Sequence, residues 1–118
     1  MKDFRNLNVW ENAHALTLKI YKLTTLFPDN EKYGLTNQIR RAAASIPTNI
    51  AEGCGRNSDA DLARFLDIAM GSASETEYLL CLACDLEYAK TEQLGNLSDN
   101  IVEIKRMLAG LIKTLRKK

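Results

Sequence analysis

The sequence predicts an all-α protein, an antiparallel four-helix bundle, on three observations. Apolar residues recur every three or four positions in four separate stretches, no segment alternates with a period of two, and the breaks between stretches are short and rich in Pro, Gly, Asn and Ser. A chain of 118 residues, 46% hydrophobic and 26% charged, is sized for one domain over residues 1–118 with a single core.

The first helix is expected to open at "NVWE", with Asn8 as cap and Glu11 in capping-box position. Its stripe is Val9, Ala13, Leu16, Ile20, Leu23 and Phe27, and Pro28 stops it. A second helix over residues 35–55 follows from Leu35, Ile39, Ala42, Ala43, Ile46, Ile50 and Cys54. Pro47 falls inside it, lacks an N–H for the Ala43 carbonyl and crowds it, so a kink is expected there; two shorter helices meeting at Pro47 are the alternative. Gly53 and Gly55 read as its terminators. "SDAD" (Ser58, Asp61) reads as a capping box for a third helix of roughly 30 residues, about 45 Å long. Leu62, Phe65, Leu66, Ala69, Leu79, Leu80, Ala83 and Leu86 line it. The last helix carries Leu94, Leu97, Ile101, Ile104, Leu108, Leu111 and Leu115. Gly95 and Gly110 each weaken it by up to about 1 kcal/mol, too little to cancel that seam.

If the chain turns near residue 57, Ala42, Ala43, Ala44 and Ser45 come opposite Gly71, Ser72 and their neighbours. Small residues on both surfaces predict close backbone approach with no pocket between the helices. The same register sets Arg40 or Arg41 opposite Glu75, and Glu52 within reach of Arg64 or Arg56. A buried charge needs a partner, so these are expected to be structural polar pairs, with Glu75 mattering more to stability than Glu77.

Catalytic signatures are missing. "CLAC" (Cys81, Cys84) lies mid-helix with no strand before it, so core packing is the reading of the residues and half a zinc or redox site the alternative. His14 has no nucleophile in a recognisable turn, "GSASE" lacks the closing Gly of a nucleophile elbow, and the six glycines form no phosphate-cradling loop. A non-enzyme without metal, cofactor or small-molecule substrate is expected. Three cysteines, an odd number, argue for reduced thiols, and the N-terminus has no signal-type apolar run, nor the chain a membrane-length one. Cytoplasmic localisation without membrane association follows as the expectation.

Net charge is +1, so no global field draws the chain to nucleic acid or membrane. The distribution is uneven. Asp59 to Glu92 holds eight acids against Arg64 and Lys90, whereas the tail holds Lys105, Arg106, Lys113, Arg116, Lys117 and Lys118 with no acid from Lys105 onward. The tail reads as a solvated face near a helix C-terminus, as a phosphate-binding stripe, or as a surface that meets the acidic third helix of another subunit. Trp10, Leu18 and Leu26 lie off the main seam of the first helix and are candidate oligomer contacts.

"LNVWENAHAL", "IYKLTTLFPDNEKYGLTNQIRRAAASIPTNIAEGCGR" and "FLDIAMGSASETEYLL" together resemble the bacterial four-helix-bundle family of 23S rRNA intervening-sequence proteins across nearly the whole chain. The family is itself similar to the accessory variability protein of diversity-generating retroelements, a pentamer that works with a reverse transcriptase and its template RNA. The resemblance implies a non-enzymatic homopentamer whose partners are itself and RNA or a nucleic-acid-handling protein; a scaffold without a nucleic-acid role is the alternative. The near-neutral charge departs from the strongly basic retroelement proteins and predicts weak, salt-sensitive RNA binding.

Overall fold

In the computed structural model, which describes residues 2–117, four helices follow one another: α1 (Asn8–Thr24), α2 (Leu35–Cys54), α3 (Asp59–Asp85) and α4 (Thr91–Arg116). No strand occurs among the described residues. Each of α1 and α3 packs on both α2 and α4, while the diagonal pairs α1/α3 and α2/α4 stay apart. The helices therefore stand at the corners of a square bundle measuring 46 × 23 × 20 Å. Leu16, Ile20, Ile39, Ile46, Ile50, Leu66, Leu80, Ile101, Ile104 and Leu108 are fully buried along its axis. Each such side chain contributes about 1.5–3 kcal/mol by leaving water. The α2/α3 seam is the most extensive and the α1/α4 seam the loosest.

Three helix ends differ from the sequence reading. Asn8 is the first residue of α1 and not its cap; Leu7 precedes it with no side-chain cap, because a short 3-10 turn at Phe4–Asn6, capped by Asp3 on the Arg5 N–H, leads into the helix. α1 ends at Thr24, yet Phe27 beyond it is still buried. Gly55 caps α2, but Gly53 is a close-approach residue: a Cβ there would lie 2.8 Å from Leu62 Cδ1 and 2.9 Å from Phe65 Cβ. The expected cap of α3 forms, with Ser58 Oγ accepting from the Asp61 N–H at 3.1 Å.

Pro47 sits inside one continuous α2, not between two helices. The Ala43 carbonyl it cannot serve lies 3.2 Å from the Thr17 hydroxyl of α1, whose single proton is shared between it and, at 2.8 Å, the Ala13 carbonyl of its own helix. Both Thr17 and Pro47 are buried. The irregularity in one helix is thus satisfied by its neighbour.

A second tie crosses the loops at one end. Glu31, before α2, accepts from the Leu35 N–H at 3.1 Å and from the Tyr88 hydroxyl at 2.8 Å. Tyr88 reaches it because the α3 end closes as a Schellman motif, with Glu87 N–H on the Cys84 carbonyl, Tyr88 N–H on the Ala83 carbonyl and Glu87 itself at φ 62°. The Tyr88 ring also lies 5.5 Å from that of Phe27. The Leu35 N–H first, then Tyr88, hold the Glu31 carboxyl below its ordinary value of 4.5.

Two predictions follow from these ties. Thr17→Val should cost about 1–3 kcal/mol in urea denaturation by leaving the Ala43 carbonyl unmet. In a Pro47→Ala background the same substitution should cost less, because Ala at that position supplies an N–H; equal costs in both backgrounds would remove the bond from the account. For Glu31 the folded pKa is depressed, so its contribution is present above the unfolded value and is lost as pH falls through the folded one. The Tm gap between the wild type and Glu31→Gln should therefore be widest near neutral pH and close below about pH 4. A gap that stays constant into acid would contradict it.

Candidate functional site

The seam between α2 and α3 carries the most concentrated polar chemistry. Thr76, fully buried, donates to the Ser72 carbonyl at 2.8 Å, Ser72 Oγ lies 2.9 Å from Ser45 Oγ, and Asn49 Nδ2 donates to both the Ser45 carbonyl and its hydroxyl at 2.8 and 2.9 Å. Toward solvent the seam opens into a groove of about 500 Å³ bordered by Tyr33, Asn37, Arg41, Ser45, Ser72 and Glu75. This corrects the expectation of tight packing without a pocket. Ala42 and Ala43 are buried and Ala44 and Ser45 half-buried, but Gly71 is exposed with nothing within 4 Å of a Cβ built on it. Gly71 points away from α2, so it plays no part in the close approach.

The expected charge pairs are redistributed. Arg40 turns to α1, where its Nε donates to Thr24 Oγ1 at 2.7 Å, its Nη2 to the Tyr21 carbonyl at 3.2 Å, and its guanidinium lies 4.8 Å from the Tyr21 ring centroid. Arg41 and Glu75 border the same groove, both exposed, and no ion pair joins them. Glu52 is exposed and pairs with neither predicted partner: Arg64 reaches Asp61 at 3.2 Å, and Arg56 lies 4.8 Å over the Phe65 ring. The reasoning failed at burial. These residues stand at the solvent edge, where an unpaired charge costs little.

The basic tail is largely engaged by the subunit's own acids. Lys105 Nζ lies 3.0 Å from Glu77 Oε1, Arg106 Nε donates to Glu103 at 3.0 Å, and Arg116 Nη1 donates to Asp67 at 3.3 Å. The last two ties raise the arginines' pKa and the first of those carboxylates, Glu103, is held low by Arg106. Lys113 and Lys117 are exposed without a carboxylate partner among the described residues, and Lys118 lies outside the described residues.

Leu18 on α1 and Leu26 in the turn after it are 59% and 66% exposed. Trp10 is only half exposed: it meets Phe4 edge-on at 4.9 Å and stacks on His14 at 5.0 Å. Cys54 is buried and Cys84 half-buried, but Cys81 is exposed, which corrects its assignment to the core. Among the described residues no three His, Cys, Asp or Glu side chains gather in a metal-binding arrangement, and no helix is long and apolar enough to cross a membrane. Sequence reasoning missed the Thr17 and Glu31 ties, and only the position of Pro47 gave a signal for the first.

Glu77, half-buried and paired with Lys105, takes the place expected for Glu75. Glu77→Ala should destabilise by up to about 1 kcal/mol and Glu75→Ala by less than about 0.5 kcal/mol in chemical denaturation. A larger loss at Glu75 would reverse the assignment.

No curated protein matches this chain. A crystal structure of a protein with unknown function from the S23 ribosomal protein family of Bacteroides thetaiotaomicron superposes with a TM-score of 0.82 at 31% identity, over 89% of this chain and 95% of that one. Residues 5–110 match the 23S rRNA-intervening sequence protein family. That span takes in all of α1, α2 and α3 and most of α4. A match of this extent, on the bundle described above, places the chain in the family of 23S rRNA-intervening sequence proteins.

Proposed function

We propose that this protein is a non-enzymatic, self-assembling helical bundle, a cytoplasmic homo-oligomer that acts as a scaffold for other macromolecules. The observation that carries the reading is exposed apolar surface at one corner of the bundle, Leu18 on the outer face of α1 and Leu26 in the turn just past its end. Large apolar side chains exposed on a bundle corner cost solubility in a monomer and are covered in an assembly. Five subunits is the number that the family resemblance implies.

Nucleic acid is the second reading, and the free Lys113 and Lys117 favour it. Two unneutralised cations per subunit bind phosphate weakly, but repetition around a ring recovers affinity on a long RNA. Three of the other tail cations already hold carboxylates, so the assembly reading is the stronger of the two.

Native mass spectrometry of the purified chain, before and after nuclease and at low and moderate salt, tests both readings. The expected result is five times the 13.2 kDa subunit mass, shifting to monomer in a Leu18→Ser, Leu26→Ser double variant that keeps its helical circular dichroism. A monomeric wild type overturns self-assembly. Nuclease-sensitive added mass that disappears in Lys113→Ser, Lys117→Ser supports the RNA reading, and its absence at low salt removes that reading.

A further inference from the structure

The loose α1/α4 seam leaves a groove of about 410 Å³ with an apolar floor of Leu23, Leu26 and Leu97, bordered by Lys19 and Lys22 and by carboxamides, with no acid in its lining. Beside Lys19 stands Leu18, so the rim carries Leu18 and Lys22 on α1 and then Leu26 in the turn past its end. Neither lysine has a carboxylate partner among the described residues.

The outer face of α3, at the opposite corner of the bundle, has the complementary order. Ile68 and Tyr78 are 49% and 62% exposed, Glu75 lies between them, and Asp85 follows. The steps from Ile68 to Glu75 to Tyr78 to Asp85 are seven, three and seven residues, the heptad-like spacing of a face that packs along another helix. Both carboxylates are exposed and outside every ion pair described above. At 1.5 Å per residue Ile68 and Tyr78 stand about 15 Å apart along α3, with Glu75 between them and Asp85 beyond, while Lys19 and Lys22 follow Leu18 on α1. The charges are of opposite sign.

We infer that the α1/α4 groove of one subunit receives the outer face of α3 from a second copy of the chain, Lys22 and Lys19 meeting Glu75 and Asp85 beside the apolar contacts. The inference rests on the self-assembly reading and names its interface. α1 and α3 are diagonal, with no close backbone approach, and their outer faces point away from each other, so one subunit cannot join these faces internally. The remaining outer faces fit less well: that of α2 mixes Arg41 with Glu52, and the exposed end of α4 carries Lys113 and Lys117, which would oppose the groove lysines. Two different faces meeting head to tail generate a ring when the rotation closes, with every subunit using both faces.

Charge reversal in the full-length chain tests this, read as subunit stoichiometry against protein concentration by light scattering at low salt, with helicity checked by circular dichroism. Lys22→Glu and Glu75→Lys should each raise the dissociation constant of the assembly about tenfold or more, and combining them should restore it. Lys19→Glu with Asp85→Lys forms an independent second pair, and Glu52→Lys on α2 should change nothing. A monomeric wild type overturns the self-assembly reading and this inference with it. A wild-type oligomer that ignores both reversals, or is weakened by the single variants without rescue in the double, overturns the interface and leaves self-assembly standing. Loss of nuclease-sensitive RNA in Lys22→Glu at unchanged stoichiometry would make nucleic acid the occupant of the groove and overturn the inference.

Discussion

The bond from Thr17 to the Ala43 carbonyl is the contact on which the arrangement of the bundle depends. A proline in the fourth turn of α2 removes one helix hydrogen bond and pushes against the carbonyl it should serve, a combination that in an isolated helix costs about 3 kcal/mol. Here the freed carbonyl faces α1, and a buried threonine meets it. α2 therefore runs unbroken from Leu35 to Cys54, and one rigid element carries Arg40 to α1, Ser45 to α3 with Asn49 bonded to it, and Arg41 and Glu52 to solvent. A break at Pro47 would separate the groove residues before it from the close helix approach at Gly53 after it.

That close approach governs the second half of the structure. A Cβ at position 53 would press on Leu62 and Phe65, so the backbones of α2 and α3 come nearest at the hairpin between them. Farther along, the Ser45 and Ser72 hydroxyls meet across the seam, and beyond them it opens into the groove. Every polar side-chain atom buried among the described residues has a hydrogen-bond partner. The seam is thus polar without being strained, and it stays open to water at the Arg41 and Glu75 end. At the other edge of the bundle α1 and α4 meet less closely, and the groove there has an apolar floor where Leu23, Leu26 and Leu97 line it.

The fold was legible because its information is periodic. The stripes on α1, α2 and α4 were each read with their core residues, and Ser58 announced its cap. The site was less legible because its information is angular. Whether Gly71 faces α2 or solvent turns on a few tens of degrees of helix rotation, which apolar spacing does not fix along a helix as small-residue-rich as α3. Arg40 and Arg41 show the same limit: adjacent in sequence, they stand 100° apart on the helix and go to different neighbours. The Arg40 ties to Thr24 and Tyr21 join residues whose opposition depends on how the α1–α2 loop turns, and Glu31 within that loop is held by Tyr88 from the far side of the bundle. No local pattern encodes either.

Electrostatics weighs assembly against nucleic acid. The acid-rich α3 and the basic tail of α4 are neighbours in the bundle, so Asp67 and Glu77 neutralise Arg116 and Lys105 within one subunit and leave little of the tail for phosphate. What survives is separated by the fold: lysines without carboxylates along α1 and at the end of α4, and carboxylates without cations on the outer side of α3. A polyanion would engage only the first group and would be repelled by the second, with the loss of affinity in salt that follows from few phosphate contacts. A second copy of the chain, docked through the inferred interface, would engage both at once, because the lysines at the α1 corner meet the carboxylates at the α3 corner of its neighbour.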